Sequence, residues 1–163
     1  MLDKLFFLVD EEGILFSFCP MPNKLLGYYS RTYLPPVILL SNILKRNRIL
    51  QKVILAEELG HHYSGACIRH FSNGSIPAKL QIKNKIEHKA LWWAVQYLVP
   101  FESFVEAVNS GLTLTYELSQ HFQVTERFMG TTIRLYSQKK KFEMKALIKH
   151  KLNEYYKRSG AIT

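Results

Sequence analysis

Apolar residues at Leu2, Leu5, Phe6 and Val9 recur at helical spacing over Leu2–Glu12, and Gly13 stands just past that run as a C-cap. Ile14–Phe18 is short and apolar and predicts a strand. It is closed by Cys19-Pro20-Met21-Pro22-Asn23, whose prolines interrupt any regular element. Leu25–Arg31 and Tyr33–Ser41 read as two further strands about a Ser30-Arg31-Thr32 turn. Pro35 and Pro36 lack the N–H that a ladder needs, so the last strand begins near Val37 or lies at a sheet edge. Asn42 is placed to cap a long central helix, Arg46–Tyr63, with apolar residues at Ile49, Leu50, Val53, Ile54 and Leu59. Ala66–Lys83, with Asn73-Gly74 and Pro77, reads as irregular. A second strong helix, Lys85–Leu98, carries Ile86, Ala90, Leu91, Trp93, Ala94 and Leu98 on one side and stops at Pro100.

Helices dominate the remainder. Phe101–Asn109 is short and ends at Gly111. Thr115–Phe122 and Thr125–Tyr136, joined at Gln123-Val124, have the lengths of a helix-turn-helix, with Thr125 as the second N-cap. Phe142–Tyr156 is amphipathic through Met144, Leu147, Ile148, Leu152 and Tyr155. A few strands followed by helices predict an α+β fold: a small antiparallel or mixed sheet packed on the central helix, then a helical C-terminal part. The expected division is 1–110 and 111–163, the second part packed on the first. An edge strand beside the central helix can hold an extended peptide by strand addition.

Composition adds limits. The chain has 163 residues, 47% of them hydrophobic, enough for a buried core. Cys19 and Cys67 have no C-x-x-C partner, Met1–Val9 is too short for an export signal, and no run approaches a membrane span. The expectation is a reduced, cytoplasmic protein with no membrane partner. Of a formal charge of +9, Thr131–Thr163 carries +7, from nine basic and two acidic residues. Such a tail suits an acidic partner or nucleic acid, and equally a solvated helix face.

The chemistry sits in Gln51–Tyr63, QKVILAEELGHHY. Residues four apart share a helix face, so Glu57 and His61 point the same way and can grip one metal ion. Glu58, about 100° further round, can reach a water held by that ion. This is the layout of H-E-x-x-H, with Glu57 in the place of the first histidine. A catalytic zinc needs three protein ligands and an open position, and Glu87 on the next strong helix is the best-placed third donor. One imidazole and two carboxylates make a hard set that also suits Mn2+ or Fe2+. Glu58 and His62 are likewise four apart, so His62 is a substitute ligand by spacing, and His70, His88 and His121 are further candidates. The same residues read equally well as Glu–His pairs on a partly wet helix face, and Glu87 as a surface acid paired with Lys83, Lys85 or Lys89. Trp92, Trp93 and Tyr97 read as core packing.

Three separated stretches together resemble the ImmA/IrrE metallopeptidases of phage and mobile elements, in particular the short Gram-positive forms. They are Leu26-Gly27-Tyr28-Tyr29 before an apolar strand, Leu55-Ala56-Glu57-Glu58-Leu59-Gly60-His61-His62-Tyr63, and Glu87-x-x-Ala90-x-x-Trp93-Ala94-x-x-x-Leu98-Val99-Pro100. The last departs from the family's spacing by one residue. The Thr115–Leu135 helices are similar to a further family region, so the resemblance covers Leu2–Tyr136 and leaves the basic tail unmatched. It implies a zincin-like fold, Zn2+, His61 and Glu87 as ligands with Glu57 at the first-histidine position, and Glu58 as general base. It also implies a phage-type repressor as the substrate or binding partner, inactivated by site-specific cleavage. Two other readings stand beside that one: a non-catalytic antirepressor on the same fold, and a DNA-binding regulator using Thr115–Tyr136 and the basic tail.

Overall fold

A computed structural model of the chain describes residues 1–22, 24–32, 34–65 and 76–158. The fold is α+β, with seven α-helices and three strands among the described residues. The chain divides into two compact units, Met1–Leu98 and Val99–Thr163, so the Phe101–Asn109 helix belongs with the second.

The first unit opens with α1 (Leu2–Glu11), which buries Leu2, Leu5 and Val9 as its spacing requires. Gly13 follows at a φ of 59°, the left-handed conformation that suits glycine after a helix. Three short strands then form one mixed sheet in the order β1-β3-β2: β1 (Leu15–Cys19), β2 (Gly27–Ser30) and β3 (Val37–Ser41). β1 runs parallel to β3 and β2 antiparallel to it, with Gly27 opposite Leu40 and Ser30 opposite Val37. β3 therefore begins at Val37, clear of both prolines, but it is the central strand and not an edge. Ile38 and Leu40 are fully buried there. The edge strand that packs on the central helix is β2.

That helix is α2 (Arg48–Tyr63), entered through a 3-10 turn, Asn42–Arg46. Its cap is Asn47, whose side chain accepts from the Leu50 N–H at 3.0 Å, whereas the expected cap Asn42 opens the 3-10 turn. α2 packs on α1, β2, β3 and α3 (Ile76–Leu98), so it is covered on most sides. Burial reaches even Gln51, Lys52 and Glu58.

α3 starts nine residues before Lys85, which corrects the irregular reading of Ala66–Lys83 over its last eight residues. Pro77 is the second helical residue, where its missing N–H would have no intrahelical partner. Leu80–Lys85 lacks an apolar stripe, so periodicity could not show that turn. The earlier part of the expected loop, with His70, lies outside the described residues.

The second unit is α4 (Phe101–Asn109), α5 (Thr115–His121), α6 (Glu126–Lys139) and α7 (Lys141–Arg158). α5 and α6 are the two helices that the spacing predicts there, joined by a short turn. Gln123 takes a φ of 53° in the turn, and the Thr125 side chain accepts from the Phe128 N–H. Tyr136 is fully buried, donates its hydroxyl to the Val99 carbonyl and packs against Phe101 and Phe104. No helix among the described residues is long and apolar enough to cross a membrane.

Candidate active site

Two glycines set how closely the elements around α2 approach it. A Cβ on Gly60 would collide with the backbone carbonyl of Ala90, so α2 and α3 cross there in near backbone contact. Gly60 precedes His61, and Ala90 lies one turn beyond Glu87. The close crossing therefore brings those two side chains to one place. A Cβ on Gly27 would collide with the Glu58 carboxylate and Ile54, so β2 lies flat against the helix where Glu58 projects. Two residues on, Tyr29 meets His61 and His62. Two strand residues advance about 6.6 Å and a helical turn about 5.4 Å, which is why β2 follows α2 in step.

His61 Nε2 lies 3.5 Å from Glu87 Oε2, with the histidine side chain 17% exposed and the glutamate 51%. His61 and Glu87 are thus brought together, and Glu87 meets an imidazole rather than a lysine among the described ion pairs. Glu58 is buried beside them. Burial, and then the charges of Glu57 and Glu87, push its carboxyl up to about 8. Glu57, on the His61 face of α2, is half-buried and acts on Glu58 as a like charge.

His62 points elsewhere. Its Nε2 lies 3.1 Å from Glu12 Oε2, and its Nδ1 lies 3.0 Å from the Tyr29 hydroxyl. The Tyr29 ring in turn lies parallel to the His61 ring, 7° between planes and 6.5 Å between centroids. Tyr63, Trp93 and Tyr97 form a continuous stack at 4.8 Å and 5.0 Å, half-exposed along α2 and α3 rather than sealed in the core. His88 and His121 are exposed on α3 and α5. Sequence reasoning missed Glu12 and the Tyr29 hydroxyl. Position 12 reads only as the polar end of α1, and no periodicity joins 12, 29 and 62.

The donors can be compared with what a divalent metal needs. His61 and Glu87 already converge, one imidazole and one carboxylate of the kind that zinc, manganese and iron accept. Among the described residues, however, no group of three His, Cys, Asp or Glu side chains is placed to hold an ion. His61 and Glu87 suit such an ion in chemistry and lie together, and Glu57 stands on the His61 face of the same helix.

Comparison with known proteins follows the same line. The model of the IrrE N-terminal-like domain, a peptidase family, matches residues 9–134. That span contains Glu12, Tyr29, the whole of α2 and Glu87. No curated protein matches the chain.

Proposed function

Because the chain belongs to the IrrE N-terminal-like peptidase family, we propose that it is a metal-dependent endopeptidase whose centre is built on His61, Glu87 and Glu58. The observation that carries this is the meeting of His61 and Glu87 at 3.5 Å with a buried carboxyl, Glu58, beside them. His61 and Glu87 would hold a divalent ion, Zn2+ or alternatively Mn2+ or Fe2+, with Glu57 as third donor. When bound, the ion supplies Lewis acidity to a peptide carbonyl and to a water, and positive charge that offsets Glu57 and Glu87.

Glu58 takes the proton of the attacking water as its oxygen bonds to the carbonyl carbon. It then gives that proton to the departing amine as the C–N bond breaks. Its burial keeps bulk water from competing for the same proton. Among the described residues the outer edge of β2 pairs with no strand, and its backbone groups can take an extended segment, with Tyr28 exposed on the strand.

The substrate in this reading is a phage-type repressor. Incubating it with the wild-type chain should yield two fragments, and Glu58→Gln, folded by circular dichroism, should yield none. Fragments that persist with Glu58→Gln would contradict the assignment. One observation favours a second reading, a non-catalytic antirepressor: the described residues bring two donors together and not three. In that case the repressor leaves its operator uncut when this chain is added.

A further inference from the structure

His62, Glu12 and Tyr29 lie outside the ligand and base assignments above, yet they form one connected chain of contacts. Glu12 closes α1, His62 ends α2 and Tyr29 sits in β2, so three elements meet at one imidazole. The direction of each hydrogen bond follows from chemistry. The Glu12 carboxyl is held below its usual range, first by its hydrogen bond with His62 and then by that with Tyr63. An ionised carboxylate only accepts, so His62 Nε2–H is the donor. In the neutral imidazole Nδ1 is then an acceptor, and the Tyr29 hydroxyl donates to it. Both ring nitrogens are spent on this chain.

One end of the chain reaches His61, and the other reaches the helix that carries Glu87. Through His62, Glu12 fixes the Tyr29 ring, which lies parallel to His61. Glu12 also accepts from Tyr63, whose ring stacks on Trp93 of α3, the helix that carries Glu87. A carboxylate at the C-terminal end of the first helix thus holds the ring beside His61 and, through Tyr63, is tied to the helix that carries Glu87.

We propose that Glu12 is a positioning residue for the His61–Glu87 pair, acting through His62 and Tyr29, and that His62 is committed to this role and is not a metal ligand. The inference rests on the reading of His61 and Glu87 as ligands, and its test separates the two. Groups that hydrogen-bond a ligand directly are typically worth about 10–100-fold in metal affinity, and a group acting through a neighbour stands at the low end of that range.

The experiment uses the full chain and two readouts. Imidazole 1H–15N correlation spectra are recorded on metal-free protein, and cobalt(II) is then titrated by visible absorption. Wild type should show His62 as the Nε2–H tautomer. Glu12→Ala should move the His61 ring signals, although Glu12 bonds to His62, and weaken cobalt binding about tenfold with one ion per chain retained. Glu12→Gln, which keeps an acceptor, should restore most of that loss. Tyr29→Phe should shift both histidines, and His62→Ala should weaken cobalt without moving its absorption bands. The proposal is overturned if Glu12→Ala leaves the His61 signals and the affinity unchanged, or if His62→Ala loses the ion or changes its bands. Wild type that takes up no cobalt, while Glu12→Ala still moves the His61 signals, supports the positioning role and defeats the metal reading alone. Glu12 follows the end of α1 with its side chain 39% exposed, so folding of the Glu12 variants is not at stake.

Discussion

Glu58 concentrates the physical tension of the site. Its carboxyl is taken out of water between α2 and β2, with Glu57 and Glu87 adding negative charge, and its pKa rises to about 8. The sign of the consequence follows. A carboxyl that is more basic folded than unfolded costs nothing while both states are protonated. It then destabilises the fold progressively as pH rises from the ordinary carboxyl value, 4.5, to about 8. In metal-free protein this should remove several kcal/mol, at about 1.4 kcal/mol per pKa unit. Glu58→Gln, which cannot ionise, should flatten that slope in denaturant melts at about pH 5 and about pH 9; equal slopes in both proteins would contradict the assigned burial. At this scale the sequence was informative about identity and poor about partnership. Spacing alone put Glu57 and His61 on one face and Glu58 beside them, because helical geometry is local. What His62 bonds to was not legible. Its partners come from α1 and β2, and position 62 satisfies the i,i+4 rule with Glu58 as well as 61 does with 57.

Among elements, the contact that matters most is the crossing of α2 and α3. Glycine in a helix interior costs about 1 kcal/mol relative to alanine, so its presence at 60 calls for a reason, which is the Ala90 backbone against it. Gly60→Ala should therefore destabilise, despite its better propensity, by about 1–3 kcal/mol in urea melts. It should also weaken metal binding, because it pushes Glu87 away from His61. A stabilised Gly60→Ala would show that the helices are not in near contact. Gly27→Ala meets side-chain atoms of Glu58 and Ile54, which can rotate, so it should cost less stability while displacing Glu58. Most elements could be read from the chain within a few residues, since apolar periodicity marks α1, α2, α4 and α6 clearly. The start of α3 could not, because its first turns carry a proline and few apolar residues. Nor could the order β1-β3-β2, because strands of four or five residues carry too little pattern to say which of them is central.

Over the whole molecule, the two compact units carry different burdens. The first holds the site, and the second is all helix, with Tyr136 at its centre. Tyr136→Phe removes the hydroxyl that satisfies the Val99 carbonyl and should cost the second unit about 1–3 kcal/mol, measured by denaturant midpoint. An unchanged midpoint would mean that water replaces the bond. The family match runs from residue 9 to 134, so it enters the second unit and stops before α7, where the chain's positive charge accumulates. The charge marks this tail in the sequence and does not tell what it meets.

The central claim is that His61 and Glu87 are two ligands of one divalent ion. The most direct test is elemental mass spectrometry of the protein purified without chelator or affinity tag, beside Glu87→Ala prepared in the same way. Near-stoichiometric zinc, manganese or iron in the wild type, lost from a folded Glu87→Ala, is the result expected. Folded wild-type protein that carries no metal, and takes up none when zinc is added, would contradict it and leave the antirepressor as the reading to pursue.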